Sequence, residues 1–114
     1  MEGRLLFGIS IGDRTFYDFK VQLLTLGGEV RAVEQIAELG LDTETSNQSV
    51  QMLVDMAYLA QQVEFVGMDK EKMNPEFLLD HLNPTDYDIL TAAIGELRKK
   101  RIAAGERLNL SEKS

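Results

Sequence analysis

Apolar side chains alternate with polar or small ones over residues 5–24, a period of two that confines the first part of the chain to β-structure. Leu5, Phe7, Ile9 and Ile11 share one side of this stretch, with Leu6, Gly8 and Ser10 on the other. After Gly12-Asp13, Tyr17, Phe19, Val21 and Leu23 alternate with Asp18, Lys20 and Gln22, so a β-hairpin over residues 4–24 is predicted. A two-residue loop at Gly12-Asp13 would pair Phe7 with Asp18. Matching the two apolar faces instead pairs Phe7 with Phe19 and Ile9 with Tyr17, through a three-residue loop or a bulge. That second register is expected, because a one-residue slip turns a whole apolar face to water. A lone hairpin is marginal, so this one must lie on helices or on strands of another chain.

The rest of the chain reads as helix. Thr25 offers an N-cap hydroxyl, and Val30, Val33, Ile36, Ala37 and Leu39 recur at helical spacing until Gly40, giving a helix over 26–39. A longer one is predicted over 47–66, opened by Ser46 or Asn47 and ended by Gly67. Val50, Leu53, Val54, Ala57 and Gln61 trace one of its faces, and Met52, Met56, Leu59, Val63 and Val66 a neighbouring one. A helix apolar around most of its girth belongs at the centre, touched on two sides. Asn74-Pro75-Glu76 and Asn83-Pro84-Thr85-Asp86 each place an Asn at an N-cap, a Pro at the first helical position and an acid in the first turn. They open helices predicted over 75–82 and 84–104, the last stopped by Gly105. The expected fold is α+β, an N-terminal β-hairpin packed on a bundle of about four α-helices. Residues 1–105 form the single domain and 106–114 a flexible C-terminal tail.

Composition removes much chemistry. The 114 residues include no Cys and one His, which excludes disulfides, thiolate zinc sites, cysteine nucleophiles and any site needing two imidazoles. No apolar run approaches the roughly 20 residues of a membrane span. The start Met1-Glu2-Gly3-Arg4 does not lead into an apolar signal segment. A cytoplasmic protein without membrane association is expected. The net charge of -7 is unevenly placed: residues 1–97 carry 6 Lys/Arg against 17 Asp/Glu, and residues 98–114 carry 6 against 2. The acidic body repels nucleic acid, and no nucleic acid partner is expected. The run Arg98-Lys99-Lys100-Arg101 fits the last turns of a helix, where cations complement the macrodipole, and it also suits docking to an acidic partner.

No catalytic, cofactor or metal site emerges. Asp80-His81 and Asp86-Tyr87-Asp88 are the densest polar clusters, but they lack the spacing of a calcium loop, and His81 has no nucleophile motif to serve. Asp86 and Asp88 are expected to favour the helix start, with Tyr87 packed inward. Gly27-Gly28 lacks the Lys-Ser/Thr of a phosphate-binding loop. Met52, Met56, Met68 and Met73 are either core filling or the lining of an adaptable groove. As a partner-binding surface, Met52, Met56, Leu59 and Val63 are the apolar candidates, and Arg98, Lys99, Lys100 and Arg101 the charged ones.

Two segments carry a resemblance. They are Leu24-Thr25-Leu26-Gly27-Gly28-Glu29-Val30-Arg31-Ala32-Val33-Glu34, and Leu82-Asn83-Pro84-Thr85-Asp86-Tyr87-Asp88-Ile89-Leu90 leading into a helix with a Lys/Arg end. With a hairpin before the first and a helical middle between them, this order resembles the tail assembly chaperones of long-tailed bacteriophages and prophages. The resemblance implies a small non-enzymatic protein that binds the tape measure protein, keeps that helical rod soluble, brings tail tube protein to it, and is absent from the mature virion. It fixes no binding residue. A structural tail completion or connector subunit that stays in the virion, and a small host adaptor, are the alternatives. Self-association into a homo-oligomer is a separate expectation, since so short a hairpin leaves apolar surface to cover.

Overall fold

In the computed structural model, residues 1–41, 44 and 47–113 are described, with side chains through Glu106. The order is β1 (Glu2–Ile11), β2 (Arg14–Val21), α1 (Leu26–Glu38), α2 (Gln48–Ala60), β3 (Val63–Phe65), a 3-10 turn at Lys70–Lys72, α3 (Pro75–His81) and α4 (Pro84–Lys113). An antiparallel sheet in the order β1-β2-β3 packs on the helices, an α+β fold.

The hairpin register differs from the expected one. Ile11 pairs with Arg14, Ser10 with Thr15 and Ile9 with Phe16, which leaves a two-residue loop at Gly12-Asp13. Gly12 has a φ of 58°, the positive value that the tight turns matching strand twist require of their first residue. Farther along, Arg4 pairs with Asp18 and Gly3 with Phe19, so residues 5–8 stand against Tyr17 alone. Turn chemistry sets the register beside the loop, and a wide bulge absorbs the mismatch. Leu5 and Ile9 still reach the core, but Phe7 and Leu6 both point outward, 55% and 64% exposed. Alternation fails where the bulge interrupts the pleat.

A second correction concerns the helix expected over 47–66. α2 ends at Ala60, with Gln61 as its C-cap, and Val63-Glu64-Phe65 is strand. Val21 pairs with Val63 and Phe19 with Phe65, so the free edge of β2 is covered and four buried apolar side chains meet across it. Val63 is spaced for a helix, but Val63 and Phe65, two residues apart, equally fit a short strand with both side chains inward, and Val66 beyond it is exposed. Asn47 is the N-cap of α2, its Oδ1 accepting from Ser49 N at 2.9 Å; Ser46, the other expected cap, lies outside the described residues.

Both Asn-Pro starts are found. Asn74 Oδ1 accepts from Phe77 N at 2.8 Å, and Asn83 Oδ1 from Thr85 N at 2.8 Å. α2 is flanked as expected, by α1 on one side and α3 on the other. α1 is capped by Thr25 Oγ1, which accepts from Gly28 N at 3.0 Å. It packs Ala32 and Ile36 against Ala57 in a small second core. Beside it the buried Gln61 side chain accepts from Arg31 Nε at 3.2 Å and donates to Gln35 Oε1 at 3.3 Å. The main core lies between the sheet, α2, α3 and α4, where Ile9, Phe19, Phe65, Leu78 and Leu90 are fully enclosed.

α4 does not stop at Gly105. It continues to Lys113, so residues 106–113, expected as a separate tail, prolong the helix. Ala103 and Ala104 favour helix, and one glycine costs only about 1 kcal/mol in a helix interior.

Candidate functional site: an acidic groove along the central helix

α2, α3 and the first turns of α4 enclose an open apolar cavity of about 340 Å³. Its walls include Met52 and Met56 from α2, Leu79 and Leu82 from the α3 region, and Tyr87 from α4. Among the described residues the only charged side chain on the wall is Asp55. Past Asp55 and Tyr87, which border both, lies a cleft of about 290 Å³ that reaches Thr91 and Ile94. These two form one groove beside α2, and Asp55 is the charged residue among the described residues that line it. Across Leu79 lies a separate cavity of about 310 Å³, bordered by Leu39, Leu41 and Leu53 and bearing Glu76 and Asp80.

The groove wall contributed by α4 is anchored from behind. Asp86 is fully buried. Its Oδ1 accepts from Leu6 N at 2.7 Å and Phe7 N at 3.2 Å, and its Oδ2 from Phe7 N at 3.2 Å and Gly8 N at 2.9 Å. Three consecutive backbone N–H groups of the β1 bulge thus surround one carboxylate, which fills an anion-binding concavity of the backbone. Gly8 has a φ of 80°, and a Cβ there would lie 2.7 Å from Thr15 Cγ2. With Asp86 held in the sheet, the next residue, Tyr87, stands half-buried beside the groove. Burial raises the Tyr87 phenol above its ordinary value of 10.0, and the carboxylates of Asp55 and then Asp88 raise it further. The sequence reading placed Asp86 at the helix start but missed the clasp. Its available signals were a glycine inside a strand pattern and an acid two residues after a helix-opening proline.

The expected binding residues divide. Met52 is 47% exposed on the rim, and Met56, buried, forms part of the wall. Leu59 and Val63 are 4% and 3% exposed and belong to the main core. Leu59 also lines the cleft beside Ile94, whereas Val63 sits on β3 rather than on the helix face expected for it. Of the other methionines, Met68 and Met73 are core. Arg98, Lys99, Lys100 and Arg101 are exposed on α4, but the helix runs on past them, so they do not occupy its last turns. Lys99 Nζ lies 3.8 Å from Glu96 Oε1, an exposed pair, which contributes little.

His81 stacks on Phe77 with ring centroids 4.3 Å apart, its Nδ1 3.0 Å from the Phe77 carbonyl oxygen. Among the described residues no three His, Cys, Asp or Glu side chains group as metal ligands, and no helix is long and apolar enough to cross a membrane. Comparison of the chain with protein-family models, curated proteins and solved structures finds no match.

Proposed function

We propose that this protein is a non-enzymatic tail assembly chaperone that binds a tape measure protein while the tail is built. The single structural observation that supports this reading is the open groove beside α2. It is apolar along most of its walls and has a flexible methionine, Met52, at the rim. A long helical rod must have its apolar stripes covered until a tube encloses it. Helix-in-groove docking covers such stripes, and methionine adapts to successive segments of differing shape. The resemblance of the two helix-opening segments to chaperones of this kind supports the same role. The chaperone works in the bacterial cytoplasm, helps deliver tail tube protein, and leaves before the virion is complete.

The test is co-expression with the tape measure protein encoded beside it. A soluble complex that forms with the wild type and is lost with Met52→Asp supports the role. A rod equally soluble with and without this chain refutes it. Mass spectrometry of purified particles then separates a chaperone, absent from them, from a connector subunit that remains.

A further inference from the structure

We infer that the groove beside α2 accepts an amphipathic helix from another protein, with one apolar stripe flanked by lysines and arginines. This specifies the partner chemistry of the site on which the chaperone reading rests. Two observations carry it. First, the groove is continuous over two sections: Asp55 and Tyr87 join the cavity walled by Met52 and Leu82 to the cleft at Ile94. A row of apolar residues along one helix face, at spacings of three and four, fits such a length. Second, the groove's charge has one sign. Asp55 sits where the two sections meet, and among the described residues no lysine or arginine lines either of them. A carboxylate midway along an apolar trough selects the partner whose stripe is bordered by cations, and it disfavours an acid-flanked one.

Neither the apolar stripe nor the charge suffices alone. The whole body is acidic, so any polycation is attracted to it weakly. Recognition at this groove therefore requires both the stripe and the carboxylate of Asp55. Asp55 is the residue to change, because it is exposed, borders both sections, and has no part in the main core.

The experiment is fluorescence anisotropy of labelled helical peptides against the full chain. One peptide has leucines on a single face flanked by lysines, a second has the lysines replaced by glutamates, and a third keeps the lysines but scatters the leucines. The lysine-stripe peptide is expected to bind about tenfold more tightly than either of the others. Asp55→Lys is expected to weaken it about tenfold and to improve the glutamate peptide, while Glu64→Lys on β3, with the same charge change, leaves both unaltered. Equal binding of the lysine and glutamate peptides, equal binding of the scattered peptide, or an equal effect of Glu64→Lys overturns the inference. So does light scattering showing that Met52→Asp dissolves a homodimer while no peptide binds, since the groove is then filled by a second copy. Peptide binding of the expected kind beside a rod that needs no chaperone leaves the groove standing and removes the tail role. A rod complex unaffected by Asp55→Lys does the reverse.

Discussion

Gly8 N donates to Asp86 Oδ2 at 2.9 Å, joining the bulge of the first strand to the first turn of the last helix across 78 residues of sequence. The same carboxylate holds the N–H groups of Leu6 and Phe7, so an irregular stretch of β1 that has lost its partners on β2 finds replacements on a side chain. Replacing Asp86 with Ala leaves all three partly buried donors without that acceptor. Bonds to a charged group contribute roughly 1.5–3 kcal/mol, and an orphaned buried donor costs about 1–3. Asp86→Ala is expected to lower the urea unfolding free energy by about 3 kcal/mol. Asp86→Asn keeps one acceptor oxygen and is expected to lose roughly half as much. An Asn variant as stable as the wild type would show that the carboxylate's charge contributes nothing.

Two glycines with positive φ separate conformational cost from crowding. Gly8 has a φ of 80°, and a Cβ there would meet Thr15 Cγ2 at 2.7 Å and the Phe16 carbonyl oxygen at 2.9 Å; Gly12, at 58°, would meet nothing within 4 Å. A left-handed conformation costs an L-residue roughly 1–2 kcal/mol. Gly12→Ala is expected to destabilise by about 1 kcal/mol. Gly8→Ala adds a clash with backbone and a disturbed Asp86 clasp, and is expected to destabilise by about 3 kcal/mol. Parallel urea denaturation of the two variants checks the difference, and equal costs would mean that the bulge relaxes freely.

How far the fold is legible follows from the range of the forces involved. The Asn-Pro helix starts and the Thr25 cap are local, settled within one turn of backbone, and they stand where the residues put them. β3 is not local: Val63-Glu64-Phe65 becomes strand because β2 has a free edge with Phe19 and Val21 waiting on it, and nothing near residue 63 states that. Tertiary pairing outweighs helical periodicity there. Among the candidate contact residues, helical spacing brings Met52 and Met56 to one wall. Spacing does not state which side of α2 the other elements cover, and Leu59, one turn from Met56, lies in the core and reaches only the cleft.

Tyr87 predicts a particular alkaline behaviour. Its phenol is held above 10.0 by burial first and by Asp55 and Asp88 second, so the folded protein favours the protonated form more than the unfolded chain does. The associated stability is fully present below the ordinary tyrosine value and is lost as pH rises through the raised one. Urea midpoints are expected to fall as pH rises above about 10, and to fall less in Tyr87→Phe than in the wild type. The two proteins differ only at residue 87, so the difference between the curves isolates Tyr87. Superimposable curves would mean that the groove does not disfavour the phenolate.

The last helix contains a boundary between packed and free residues. Leu90 is fully enclosed and Leu97 is 9% exposed, whereas every side chain from Arg98 to Ala104 is exposed. Burial supplies most helix stability in proteins, so only the part up to Leu97 contributes to holding the domain. A chain ended after Arg101 is expected to keep its unfolding free energy within about 0.5 kcal/mol, because exposed positions rarely contribute more. Leu97→Ala, one turn earlier, removes packing against the main core and is expected to cost about 2–3 kcal/mol. The shortened chain also tests the cations: if it still forms the rod complex, Ile102 and the residues after it are dispensable, and charge reversal at Arg98, Lys99, Lys100 and Arg101 then decides whether those four contribute to docking. A shortened chain that unfolds several kcal/mol more easily would show that the extension packs on the domain.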